Sequence, residues 1–258
     1  MTTEYTGSGD PRRSVELLWG LRDGPRRGPK PRFSVPQIAR AAIELADAEG
    51  LAALSMRRVA DRLGVTAMSL YSYVPGKAEL LDVMVDTVYA ETDRTRDPAS
   101  GWRDGLEAVA RDNWALYLRH PWLLQVAAVG RPVLGPHMIA KYDHELSAVD
   151  GIGLADVEMD LVLGLVTNYV HGAVRAAVEA AQVEQRTGLT DEQWWEAWAP
   201  VLGKVLDEGR HPVAARVGSA AGREYGAAYA PERSFEFGLQ RLLDGIEVFV
   251  RGRSGRDG

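Results

Sequence analysis

From Ser34 onward the apolar positions fall at helical spacing in short blocks, each bounded by residues suited to helix ends. Ile38, Ala42, Leu45 and Ala46 form one stripe; Ser34, Pro36 and Gln37 supply a start with a capping box, and Gly50 followed by Leu51 supplies a stop. In the next block, from Ser55 to Lys77, Ser55 caps a helix whose inner face is Val59, Ala60 and Leu63, and Gly64 can take the positive φ that ends it. Val65 fills the turn, Thr66 caps a second helix of about two turns, and Leu70 is its one residue with a purely apolar reason to face inward. A helix that short is not stable alone, so its inner face must be held by neighbours while its outer face stays free. A further helix is expected from Ala78 to about Thr92, with Leu81, Val85 and Val88 on one side.

The segment TRDPASG, Thr95 to Gly101, punctuates the chain as a domain boundary. Beyond it the pattern predicts helices over 102–119, 121–128, 132–148, 154–186, 190–207 and 234–251, with the Gly- and Ala-rich interval Gly209 to Arg233 as loop. No strand pattern is seen, so the fold class is all-α: a 1–33 flexible basic extension, a small helical domain over 34–94 and a larger one over 95–258. The 154–186 helix is apolar around most of its circumference from Val157 to Val178. The last helix carries Phe235, Leu239, Leu242, Leu243, Ile246 and Phe249, with Gly238 and Gly245 permitting close approach. Together these exceed what one body covers, so a homodimer is expected, with Val170, Val174, Phe235, Leu239, Leu242 and Ile246 at its interface.

Residues 1–33 read as linker, with a short helix over Val15 to Leu21 whose Leu17, Leu18 and Trp19 need a surface to cover. The run RDGPRRGPKPR is too rich in Gly and Pro for a regular helix; it is either a solvated tether or a basic arm that touches DNA backbone or minor groove.

Charge sharpens this division. The 258 residues carry a net charge of −6, yet Met1 to Lys77 holds 12 Lys and Arg against 8 Asp and Glu, leaving the remainder near −10. A small basic end on a large acidic body fits nucleic-acid contact at that end. The absence of cysteine excludes a disulfide framework and thiolate metal ligation. The opening residues lack the apolar core of a signal peptide, and the longest apolar run, Leu161 to Val174, is broken by Asn168 and His171. A cytoplasmic protein that does not enter membranes, with no cofactor or metal, is expected.

Two helices joined by a three-to-four-residue turn containing glycine are the signature of a helix-turn-helix. The string LSMRRVADRLGVTAMSLYSYVPGKAELLDVMV, Leu54 to Val85, closely resembles the DNA-binding domain of TetR-type transcriptional regulators: the capped helix, the Leu-Gly-Val turn, the Leu-Tyr-x-Tyr helix and the Lys opening the next helix stand at the family's spacing. FEFGLQRLLDGIE is similar to the ending of the tetracycline-repressor-like subgroup. The resemblance implies a dimer held by a four-helix bundle, a double-stranded DNA operator and a small-molecule effector.

In a helix-turn-helix the start of the second helix meets base edges. Thr66, Ala67, Met68, Ser69 and Ser72 are therefore the groove-facing candidates, and Arg57 is the one side chain able to grip guanine with two hydrogen bonds. Tyr71 and Tyr73 match the family's phosphate contacts, with Tyr71, beside Leu70, the better candidate for packing inward. Lys77 opposes the helix dipole unless an external phosphate joins it.

The larger domain sets polar and aromatic residues among apolar ones: Trp114, Tyr117, His120, Trp122, Gln125, His137, Asn168, Tyr169, His171 and Arg175. Each alone reads as a satisfied core residue, but collectively they suit a mostly apolar effector pocket. If Gly172 is lined up with the matching glycine of tetracycline repressors, the resemblance implies that Asn168 stands where those proteins use a ligand-contacting histidine, which argues against tetracycline itself. Arg175 is placed to meet an acidic ligand group or to pair with Glu179. A dimeric, effector-responsive regulator, expected to be a repressor, thus competes with an activator of the same fold and with a ligand-binding helical protein that no longer reads DNA. An enzyme using His120, His137 or His171 with Asp143 or Glu145 lacks any recognised catalytic spacing.

Overall fold

The computed structural model describes residues 5–21, 32–92, 95, 100–127 and 131–254, and among these the regular structure is helical throughout. α1 (Pro11–Leu18) precedes a small unit, the head, of α2 (Val35–Glu49), α3 (Met56–Leu63) and α4 (Ala67–Tyr71), and α5 (Lys77–Tyr89) leads out of it. The body comprises α6 (Trp102–Arg119), α7 (Leu123–Val126), α8 (Pro136–Leu146), α9 (Asp156–Thr187), α10 (Asp191–Val205), α11 (Pro212–Tyr225) and α12 (Pro231–Ser254).

The caps of the head fall where local chemistry puts them. Ser34 and Gln37 close a reciprocal box: the Gln37 N–H donates to Ser34 Oγ, and the Ser34 N–H donates to Gln37 Oε1 at 2.8 Å. Ser55 Oγ accepts from the Arg58 N–H, and Gly64 at φ 66° and ψ 39° ends α3 in the left-handed region, where a side chain would add strain.

α5 is the post between head and body. Leu80, Leu81, Val83, Met84, Val85 and Val88 are buried, and so are Glu79, Asp82 and Asp86. It packs on α2 on one side and on α1 and α8 on others. In the body α9 lies between α6 and α12. By length and composition α9 could cross a bilayer, but its Val162, Val166, Val170 and Val174 face is occupied by neighbouring helices.

Several expectations change. The amino-terminal residues are not all linker: Tyr5–Leu21 is docked, with its helix beginning at Pro11 because Asp10 caps it. Arg22, Arg26, Arg27 and Lys30 lie outside the described residues, as does most of the expected boundary at 95–101. α4 is five residues rather than two turns. The interval 209–233 contains α11, whose Gly222 admits the Trp195 ring of α10; a Cβ there would stand 2.5 Å from it. Val170, Val174, Phe235, Leu239 and Ile246, expected at a dimer interface, are buried in the protomer's own core, and only Leu242 of that set is partly open. The outward faces of the same helices carry Leu161 and Leu165 on α9 and Gly245 and Phe249 on α12.

α9 and α12 meet closely at one point. The Tyr169 hydroxyl donates toward the Phe235 and Ser234 carbonyl oxygens at 2.7 and 3.1 Å, and a Cβ on Gly238 would overlap that hydroxyl. Gly238→Ala is therefore expected to lower stability by about 1–2 kcal/mol, because overpacking outweighs the better helix propensity of Ala. Gly203→Ala, whose Cβ meets nothing within 4 Å, should be neutral or stabilising. Urea denaturation of the two variants reads the difference.

Candidate nucleic-acid interface and effector cavity

α4 is anchored by Leu70 and by Val74 just beyond it, both fully buried, and this turns the opposite face outward. Met68 is 78% exposed and Tyr71 45% exposed. Thr66 Oγ1 accepts from the Ser69 N–H and shares a 2.9 Å hydrogen bond with Ser69 Oγ, while the Ser72 hydroxyl donates to the Ser69 carbonyl at 2.7 Å. Much of the hydroxyl capacity of this face is thus spent within the helix. Ala67 is half-buried against the core, which leaves Met68 as the main apolar side chain of α4 on the outward face. The tyrosines exchange the roles expected of them: Tyr73 packs on the core and Tyr71 is presented outward.

Arg57 at the start of α3 is exposed. Its neighbour Arg58 is held by Glu49 at 2.7 Å and Arg62 by Glu44 at 2.8 Å, so those two brace α3 against α2. Lys77 opens α5 after Gly76, half-buried.

Three carboxylates of the head and α5 accept hydrogen bonds from the rest of the chain. Asp47 Oδ1 takes the Trp122 Nε1–H at 2.7 Å and pairs with His120 Nδ1 at 2.8 Å, while His120 Nε2 faces Glu91 at 3.1 Å. Burial pushes the Glu91 carboxyl up, but hydrogen bonds from Arg119 and His120 and their charges outweigh it and hold it below its ordinary range. Asp82 takes the Gly7 N–H at 2.9 Å and the Ser14 hydroxyl at 2.6 Å. Asp86 takes the Met138 and His137 N–H groups at the start of α8, at 2.9 and 3.4 Å.

Behind α5 is a cavity of about 140 Å³ whose lining includes Thr6, Val85, Tyr89, Tyr117, Asn168 and His171. His171 Nε2 is buried there without a hydrogen-bond partner among the described residues. Desolvation first, and then the Arg175 charge, hold the His171 imidazole below its ordinary value. Desolvation, reinforced by the Glu145 charge, pushes the Tyr117 phenol up to about 12, and the Tyr89 phenol is raised as well. The cavity therefore presents neutral hydroxyl and imidazole groups among apolar walls, which suits a largely apolar ligand surface with a few hydrogen-bonding oxygens.

Of the ten expected ligand residues, the cavity gathers only Tyr117, Asn168 and His171. His120 and Trp122 bind Asp47 instead, Trp114 stacks on Phe235 with ring centres 4.3 Å apart, and Tyr169 ties α9 to α12. Gln125 opens onto the cleft between head and body, His137 contributes its N–H to Asp86, and Arg175 is exposed. The groups considered for catalysis are not brought together: Glu145 is held by Lys141 and Asn113, and Asp143 is exposed.

Residues 38–84 match the model for bacterial regulatory proteins of the tetR family, and residues 95–250 match the tetracyclin repressor-like C-terminal domain. The chain is 46% identical over 256 residues to the transcriptional repressor DrrR1 of Streptomyces coeruleorubidus, covering 98% of this chain and 92% of that one. The chain belongs to the TetR family.

Among solved structures, this TetR-family chain is similar to apo ActR of Streptomyces coelicolor, at 25% identity and TM-score 0.67 over 88% of this chain and 99% of ActR. ActR in complex with actinorhodin gives the same TM-score at 24% identity, over 83% and 95% of the two chains. The tie between Asp82 and the amino-terminal segment was missed by sequence reasoning. Its one advance signal was an unassigned need: Leu17, Leu18 and Trp19 required a surface.

The His171 shift has a consequence for stability. Its folded pKa lies below the unfolded value near 6.5, so the unfolded TetR-family chain binds more protons just below that pH, and stability falls as pH drops through the window. His171→Asn is expected to lessen the fall in melting temperature between pH 7 and 5. A thermal melt of both proteins across that range checks it.

Proposed function

We propose that this chain is a homodimeric repressor acting in the cytoplasm, released from a near-palindromic operator by a small-molecule effector. The observation that supports this reading is the shared wall: Val85 and Tyr89 of α5 line the cavity that holds the His171 nitrogen, which has no partner among the described residues. An effector that gave this nitrogen a partner would bear directly on the helix leading out of the head. An effector lowers operator affinity only by binding one head arrangement better than the other, and contact with α5 supplies that difference.

Dimerisation is supported by the outward faces of α9 and α12. They form an apolar groove of about 350 Å³ lined by Leu161, Leu165, Leu242, Gly245 and Phe249, with Leu161 64% exposed. Apolar surface of this kind on a soluble chain marks an interaction site, and a second copy presents its own complement through a two-fold axis. Two heads so related read half-sites roughly 34–36 Å apart, or farther where the dimer spans more. Met68 and Arg57 read bases, while Tyr71 and Lys77 hold phosphates. The relationship to DrrR1, named a repressor, favours repression over activation.

The test is binding to the DNA upstream of the protein's own gene, followed by fluorescence anisotropy as salt is varied. Lys77→Ala should weaken binding to every sequence and flatten the slope of log affinity against log salt by about one unit, whereas Met68→Ala should act at particular base pairs and leave the slope unchanged. Actinorhodin, seen bound to ActR, is the first effector probe and should lower affinity. Absence of any preference for that DNA over random duplex would refute the operator reading.

A further inference from the structure

We infer that the amino-terminal segment Tyr5–Leu21 is a removable wall of the effector cavity, through which an effector acts on the reading head. This rests on the effector reading of that cavity. Thr6 lines the cavity opposite the body helices, and its N–H and hydroxyl both donate to the Val126 carbonyl at 3.0 Å. The next residues fill Asp82: the Gly7 N–H takes Oδ1 and the Ser14 hydroxyl takes Oδ2. At the far end the Trp19 Nε1–H donates to the Leu134 carbonyl at 3.0 Å. One short segment thus touches α5, the end of α7 and the turn before α8.

Size decides that a wall must move. Pockets for drug-sized ligands run to roughly 300–1,000 Å³, whereas this cavity is about 140 Å³. Tyr117, His171 and Val85 sit on long helices packed into the main core. Thr6 sits on a segment whose α1 buries only Ser14 and Leu17. Pro132 and Val133 belong to the turn before α8, which the segment overlies through Gly7 against Arg131 and Trp19 on Leu134. A segment with few buried apolar contacts opens at lowest cost, so this wall yields first.

Its departure has a fixed consequence. Asp82 is buried on α5, and burial already pushes its carboxyl up despite the hydrogen bonds from Ser14 and Gly7. Stripped of both donors and uncovered by the same departure, that carboxylate takes water in their place, and α5, no longer held by the segment, is free to turn toward it. The turn of α5 moves the head that begins at its amino-terminal end. Asp82 is thus a positioning residue for DNA reading, acting through the segment that completes it.

The chain has no cysteine, so Thr6→Cys introduces a single thiol whose reaction with N-ethylmaleimide, followed by mass spectrometry, reports opening of the wall. Adding Ser14→Ala to the full-length chain should speed labelling about tenfold, the factor expected for one lost hydrogen bond to a charged group. A Val174→Cys control in the α9 core should stay unreactive in the same background; equal acceleration at both positions would mean global opening and would overturn the inference. Saturating actinorhodin, its binding followed by tryptophan quenching, should also speed labelling of the Thr6→Cys thiol and raise hydrogen exchange in α5. Quenching without faster labelling overturns the wall while leaving the effector reading in place. Without quenching, actinorhodin is not the effector, and the wall stands or falls on the Ser14→Ala comparison alone.

Discussion

The fold depends on carboxylates of the reading head and its connecting helix that accept hydrogen bonds from other parts of the chain. Asp82 and Asp86 are almost fully buried on α5, and Asp47 sits near the end of α2. Their donors come from the amino-terminal segment, the first turn of α8, and the His120 and Trp122 side chains. A buried carboxylate without donors costs more than its partners return when present, so each tie is weak evidence of added stability but strong evidence of fixed orientation. The head is aimed by the body, and anything that alters the donors alters the aim.

This dependence also explains how a five-residue helix can serve as a reading element. α4 is held by Leu70, while Val74 and the half-buried Tyr73 anchor the turn that follows it, and the head's remaining apolar face rests on α5. The outer face keeps Met68 and Tyr71 free because the hydroxyls around them are satisfied locally. On the other side of α5 the cavity holds neutral phenols and a neutral imidazole, whose charged forms burial disfavours. Reading surface and cavity are thus the two sides of one helix-supported layer.

The head was legible in the sequence because its signals are local. Ser34 with Gln37, Ser55, Gly64 and Thr66 each act within four residues, and the structure uses every one of them as read. Features that required tertiary partners were not legible. The Ala- and Gly-rich stretch becomes α11 because small residues such as Gly222 let Trp195 pack closely, which periodicity cannot report. Thr6, Gly7 and Ser14 look like linker because their value is a carboxylate some seventy residues away and a carbonyl farther still. The apolar character of α9 and α12 was plain, but spacing does not say which stripe faces the protomer's own core. Val170, Val174 and Leu239, expected at a seam between subunits, are buried inside the protomer instead. His120 and Trp122 read as ligand contacts for a related reason: a polar tip among apolar neighbours shows a need for a partner without naming it.

If the head is aimed through these ties, cutting them should release it as an independent unit. Differential scanning calorimetry of the full chain carrying Asp47→Ala and Asp86→Ala measures this most directly. The native chain should melt in one transition, and the double variant in two, with the head melting first and the body close to its original temperature. A single transition in the double variant, merely shifted downward, would contradict the account, as would two separate transitions in the native chain.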